Sequence, residues 1–213
     1  MPAKRPEPTA LQGRFIRLEP LGDEHLLGLS DALGHREVFE FGFGGGLAAF
    51  PESRDEFVDW ARGYFKPANN PYAVILVGGP RDGTVVGTTT LGDFDEHRET
   101  THIGWTAYDP RVWGTAVNPE AKLLLLKHAF DAGFGRVKIQ TDVLNTRSRA
   151  AIAKLGASFE GVTRREQPRA DGSWRDSAVF SVIVDDWPVV REGLENRLAH
   201  FEGRPVLFRT PPL

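Results

Sequence analysis

Between Asp109 and Glu120 the chain reads Asp-Pro-Arg-Val-Trp-Gly-Thr-Ala-Val-Asn-Pro-Glu, a turn that leads into a strongly apolar helical stretch. Small residues at Gly114 and Ala116 allow a ligand to come close to the backbone. Asn118 is a good N-cap and Pro119 a good first helical residue, so a helix is predicted from there to Phe130, stopping near Gly133. The free N–H groups and the dipole at such a helix start favour an anion, typically a phosphate. A capping loop with no ligand would look much the same. A second cap is predicted at Asn145, opening a helix that runs through Leu155 and ends at Gly156, with the Ser148 hydroxyl one turn in.

Several other chemistries have no support. The six histidines are scattered, with no close pair such as His-x-x-x-His, so no metal site is predicted. There is no cysteine, which excludes disulfides, thiolate catalysis and thiolate metal ligation, and suits a reducing cytoplasm. Neither Gly-x-Ser-x-Gly nor Gly-x-x-x-x-Gly-Lys-Ser/Thr occurs. A net charge of −3 gives no general basic field for nucleic acid or anionic membrane. No apolar run reaches the roughly 18 residues of a membrane span, and the N-terminus lacks an apolar signal core.

The elements that must hold these residues follow from periodicity. Strands are predicted over 15–18, 72–77, 84–91, 101–108, 136–143, 158–162 and 177–183. Helices are predicted over about 24–33, 53–65, 120–132 and 145–155, with one more opening at Asp186 or Trp187. The strand–helix–strand run from 101 to 143 is a βαβ unit, so its two strands should be parallel. Residues 39–46 interleave phenylalanine with glycine, which reads as a loop over the core or a lip over a pocket. The expected organisation is a flexible arm over 1–12, one domain over 13–202 and an irregular tail over 203–213.

Arg111-x-x-Gly114-x-Ala116 resembles the pyrophosphate-binding signature of the GCN5-related N-acetyltransferases. The element order matches that fold over residues 14–183: an α/β (α+β) domain with a mixed sheet of about six to seven strands flanked by helices, here with an extra C-terminal helix. The second half is similar to one branch, the RimJ/RimL-type ribosomal-protein N-terminal acetyltransferases. The matching residues are Ile103-Gly104-Trp105, Trp113-Gly114, Glu120-Ala121, Asn145-x-x-Ser148, Leu155-Gly156-Ala157, Glu160-Gly161 and Asp171-Gly172-x-Trp174-Arg175-Asp176. Val117-Asn118-Pro119 departs from the usual helix start, and Pro119 removes one N–H donor.

The resemblance implies acetyl transfer from acetyl-CoA to a primary amine. The diphosphate would lie on the backbone from Trp113 through Gly114, Thr115 and Ala116 to Val117, helped by Arg111. The pantetheine arm would pair with the Trp105, Thr106 and Tyr108 stretch and with Asn145. Amides there would also hold the thioester carbonyl. Ser148 would protonate the leaving thiolate, although a thiol pKa near 8.5 makes a strong acid dispensable. Glu166 is the first candidate for the base, with Glu160 and Asp142 as others. An α-amine, of pKa about 7.7–8.0 against about 10.4 for lysine, needs only modest help. The acceptor implied is a peptide or protein N-terminus. The alternatives are a small-molecule amine such as an antibiotic, polyamine or amino acid, or a non-catalytic acyl-CoA-binding module. The branch also implies a possible homodimer and a cytoplasmic location.

Overall fold

The computed structural model describes residues 2–209. Within these, eight strands form one sheet in the order β1-β2-β3-β4-β5-β6-β8-β7. They are β1 Leu11–Gln12, β2 Ile16–Pro20, β3 Asn70–Leu76, β4 Val85–Asp95, β5 Thr100–Tyr108, β6 Arg136–Asp142, β7 Ser158–Pro168 and β8 Trp174–Ile183. The helices are α1 Asp23–Leu33, α2 Arg36–Phe39, α3 Arg54–Tyr64, α4 Val117–Asp131, α5 Thr146–Ala153 and α6 Trp187–Ala199. The strand beyond the expected number is the two-residue β1. It is too short to show alternation in the sequence.

All neighbouring strands run antiparallel except β5 and β6. That pair is parallel, as the βαβ unit between them requires. Their pairing covers only Thr100–Ile103 against Arg136–Ile139. Both strands continue beyond it, and there they part. A bulge in β5 marks the same place. Thr88 pairs with Ala107 and Thr90 with Gly104, so Trp105 and Thr106 lie opposite Thr89 alone. Trp105 takes a φ of +48°, rare for a bulky side chain.

Two cores hold the sheet. In one, α4 and α6 bury Ala121, Leu125, Leu126, Leu194 and Leu198 with Leu91, Ile103, Val137 and Ile139 of the strands. In the other, α1 and α3 pack Leu26, Leu29, Leu33, Phe57 and Ala61 with Phe39 and Ala107. The aromatics of residues 39–65 pack around Trp60 in edge-to-face, tilted and stacked pairs, which is why a glycine-rich segment keeps a defined path.

Both chain ends lie against this body. Lys4 N donates to Ala132 O at 3.0 Å, and the Arg5 guanidinium donates to Asn70 Oδ1 at 2.7 Å. Val206 is buried in the core of α4 and α6, and Arg209 N donates to Arg111 O at 2.9 Å. Residues 210–213 of the expected tail lie outside the described residues. Glu120 ties β2 to α4: its carboxylate accepts from the amides of Arg14, Phe15 and Ile16 at 2.7–2.8 Å. No helix among the described residues is long and apolar enough to cross a membrane.

Candidate active site

A cavity of about 440 Å³ lies where β5 and β6 part. Three groups of residues line it. The first is the loop before α4 with the start of α5: Trp113, Gly114, Asn118, Asn145, Arg147 and Ser148. The second is the bulged part of β5, Gly104 to Tyr108, together with Lys122 of α4. The third joins His102, Asp93 and Lys138 of the sheet to Glu166 and Arg175 of the β7–β8 hairpin, with Phe41, Phe43 and Tyr64 opposite.

The loop presents free donors to the cavity, though not quite as its sequence suggests. The helix starts at Val117 with Ala116 as its cap, so Asn118 and Pro119 are its second and third residues. Proline fits anywhere in the first turn, where its missing N–H has no intrahelical acceptor. The Thr115 hydroxyl takes the place of the expected asparagine cap, 3.4 Å from Val117 N. Gly114 sits at φ +72°. The amides of Gly114 and Asn118, both in the cavity wall, have no acceptor among the described residues. That pair of free donors beside a glycine is what a phosphate needs.

Arg111, expected to help hold the diphosphate, does not line the cavity. Its guanidinium is clamped by the buried Asp109, with contacts of 2.6–3.0 Å, and lies 4.3 Å from the centre of the Phe208 ring. Asp109 holds its pKa above the usual value. Arg147 lies instead in the cavity wall, 3.4 Å from the centre of the Trp113 ring. Burial lowers its pKa and Glu40 opposes that. No carboxylate pairs with it among the described residues. Arg209 also approaches, with Nη1 3.2 Å from where a Gly114 Cβ would stand.

At the bulge, Thr106 Oγ1 is 2.8 Å from Thr89 Oγ1 and accepts from Lys122 Nζ at 2.9 Å. Lys122 is 4 % exposed. Burial pushes its pKa down to about 7. Tyr108 closes this part of the wall. Its hydroxyl is buried without a partner among the described residues, and burial raises its pKa.

On the third side, His102 Nδ1 is 3.0 Å from Asp93 Oδ2. Nε2 is buried and without a partner among the described residues. The ring packs against Gly104, where a Cβ would come within 2.8 Å of Nε2. Burial lowers the histidine pKa, and this outweighs the opposing hydrogen bond to Asp93. Asp93 is itself lowered, chiefly by that bond. Burial thus favours the neutral ring, and with Nδ1–H donating to Asp93, its one carboxylate partner among the described residues, Nε2 would carry the lone pair.

The hairpin and the phenylalanine–glycine loop meet over this side. Ala170 N donates to Gly45 O at 3.0 Å, and Arg169 pairs with the buried Asp142. Glu166 lines the cavity with Oε2 unpartnered among the described residues. Arg175 also faces in, with burial lowering its pKa while Asp142 and Glu166 oppose.

Of the residues singled out in the sequence, the fold brings Trp105, Thr106, Tyr108, Trp113, Gly114, Asn145, Ser148 and Glu166 to the cavity. Asn145 caps α5 as expected, its Oδ1 accepting from Ser148 N at 2.9 Å. Thr115 and Ala116 are buried behind the loop and do not line the cavity. Asp142 lines the cavity but is held by Arg169. Glu160 does not line the cavity, and Arg136 and the Ser181 hydroxyl take its carboxylate. His102, Lys122 and Arg147 were missed. One signal lay in the helix pattern: Lys122 shares a face with Leu125 and Leu126, where an apolar residue belongs.

Comparisons with known proteins bear on the fold and the family. A family model described as an acetyltransferase (GNAT) domain matches residues 16–158. A GCN5-related N-acetyltransferase from Brucella melitensis is 27 % identical over 97 % of this chain and 95 % of that one, with a TM-score of 0.82. A protein from T. thermophilus is 32 % identical over 92 % of this chain and 100 % of that one, with a TM-score of 0.79. Mycobacterium smegmatis RimJ in complex with CoA-disulfide shares the fold at 20 % identity, TM-score 0.66, covering 89 % and 93 %. Among curated proteins no match was found. With its family model covering most of the sheet and the loop before α4, the chain belongs to the GNAT acetyltransferases, enzymes that use acetyl-CoA.

Proposed function

We propose that the protein acetylates the α-amine of a peptide or protein N-terminus, which enters the cavity end on. The contact between the phenylalanine–glycine loop and the hairpin carries this reading. With Gly45 joined to Ala170 and Asp142 to Arg169, the loop and the hairpin meet over the acceptor side, which favours entry end on over a chain laid across it. An end can still enter. The acid–base setting supports an α-amine over an alkyl amine. A neutral histidine of lowered pKa suits an amine of pKa near 8 better than one above 10.

CoA fits the other side. The amides of Gly114 and Asn118, with Arg147 and Arg209 nearby, would hold the diphosphate. The open edge of β5 beyond Ile103, with Asn145, would hold the pantetheine arm. Once bound, acetyl-CoA supplies an activated acyl group. His102 Nε2 takes the amine proton, and Asp93 keeps the ring in the tautomer that can accept it. Glu166 and Arg175 orient the acceptor. A free amino acid or another small amine is the competing reading, favoured by the same contact. The test is CoA release with a matched panel: peptides with free or blocked N-termini, free amino acids and alkyl diamines. Faster turnover with free-terminus peptides supports the reading. Turnover confined to the small amines overturns it.

A further inference from the structure

Acetyl transfer moves a proton at two places. One leaves the amine, and one must reach the sulfur as CoA departs. His102 answers the first need. The second has a candidate on the opposite face of β5, where α4 packs mostly carbon and its other buried charge, Glu120, is taken up by the amides of residues 14–16. Ala121, Leu125, Leu126 and Ala129 are fully buried there, and Lys122 stands among them. Taking an ammonium out of water costs several kcal/mol unless it is paired. No carboxylate lies within ion-pair distance of Nζ among the described residues. Its partners are the hydroxyls of Thr106 at 2.9 Å and Thr89 at 3.3 Å. Leucine or methionine would pack this face without that cost.

We propose that Lys122, acting through the Thr106 hydroxyl, delivers the proton that the CoA sulfur takes up. This rests on the reading that the thioester lies at the bulge. Thr106 is the link because it sits in the cavity wall and also touches the amine. A lone hydroxyl such as that of Ser148 gives up a proton only if another group refills it. Ser148 has no ionisable hydrogen-bond partner among the described residues, whereas Thr106 has one.

The step balances. As the C–N bond forms and the C–S bond breaks, the amine proton passes to His102 Nε2. The sulfur takes the Thr106 hydroxyl proton, and Thr106 takes one from the Lys122 ammonium. His102 gains the charge that Lys122 loses, so the net charge of the cavity stays constant. Both groups then exchange a proton with solvent. The other charged groups facing this space are Asp93 on β4, Lys138 and Asp142 on β6, Arg147 on α5, and Glu166 and Arg175 on the hairpin. With Lys122 pushed down to about 7, its acid form disappears as pH rises through that value. The rate should therefore fall on the alkaline side.

Lys122→Met and Thr106→Val test this with two readouts. The first is kcat against pH. Each variant should lose about 10²-fold in kcat, and the alkaline fall should vanish in Lys122→Met, with CoA affinity held. The second needs no acceptor: the thiol of bound CoA is titrated by its ultraviolet thiolate absorbance. It should ionise at lower pH in the wild type than in Lys122→Met, whose value should return towards about 8.5. Because this titration involves no amine, it stands even if the α-amine reading fails. A folded Lys122→Met with unchanged kcat and thiol titration overturns the proposal. So does a loss of kcat that leaves the alkaline fall and the thiol in place, since that marks a packing role. So does an alkaline fall abolished by Ser148→Ala and kept in Lys122→Met. If Lys122→Met does not fold, Thr106→Val decides: a 10²-fold loss supports the relay and a wild-type rate overturns it.

Discussion

Replacing His102 by glutamine removes the lone pair on Nε2 while keeping a polar side chain of similar length. General base catalysis contributes about 10²- to 10⁴-fold, equivalent to roughly 3–5 kcal/mol of barrier. His102 is 5 % exposed, so bulk water has little access to stand in for it, and the loss should exceed 10²-fold. Asp93→Asn should behave differently. The Asp93 side chain is 51 % exposed, so its charge is screened. With His102 buried and Asp93 half exposed, the charge of the pair is worth on the order of 1 kcal/mol, or about fivefold in rate, and asparagine keeps an oxygen that can still accept from Nδ1. The sign of the pH effect follows from the ring. Neutral His102 is the active form, so kcat rises with pH through the histidine pKa, which burial holds below 6.5. Asp93 raises that pKa, so removing its charge moves the rise to lower pH. The assay is CoA release at saturating substrates from pH 5 to 9. A wild-type rate in His102→Gln refutes the reasoning, as does a rise displaced to higher pH in Asp93→Asn.

Four further outcomes are expected. Gly114→Val places a branched side chain at φ +72° and against Arg209, so calorimetry should show CoA binding lost; wild-type affinity in the folded variant would place the phosphates elsewhere. Arg147→Ala should weaken CoA binding while Arg111→Ala does not, because Asp109 already occupies Arg111; the reverse order would restore Arg111 as the phosphate cation. Glu166→Gln should raise KM more than it lowers kcat, with Glu160→Gln as the silent control; a loss of kcat alone would make Glu166 the base. Glu120→Gln removes the charge from three backbone hydrogen bonds and should cost about 3 kcal/mol in urea unfolding; a loss under about 1 kcal/mol would show that β2 is held by its apolar contacts.

Periodicity and capping made most of the fold legible. The seven longer strands, the parallel pair and the caps at Ser53 and Asn145 follow from alternation, from the βαβ spacing and from side chains that hydrogen-bond their own first turn. β1 and α2 escaped because two and four residues carry no period. The cavity lining was legible where backbone sets it, as at Gly114 and along Trp105–Tyr108. It was illegible where function depends on which strand positions share a face. Glu160 and Glu166 lie six residues apart on β7, and the register break between Thr163 and Gln167 separates them, one against Arg136 and the other in the cavity. His102 and Asp93 meet only because β4 and β5 pair in this register. Arg111 looked free in the sequence because nothing there showed that Asp109 would turn back on it.

The proposed reaction is acetyl transfer to an α-amine in the cleft between β5 and β6. The most direct measurement is mass spectrometry of a peptide carrying both a free N-terminus and a lysine, incubated with the protein and acetyl-CoA, with fragmentation to locate the added group. One acetyl on the N-terminal nitrogen, absent with His102→Gln, is the predicted result. Acetyl on the lysine alone, or no acetyl on the peptide while a small amine is modified, contradicts it.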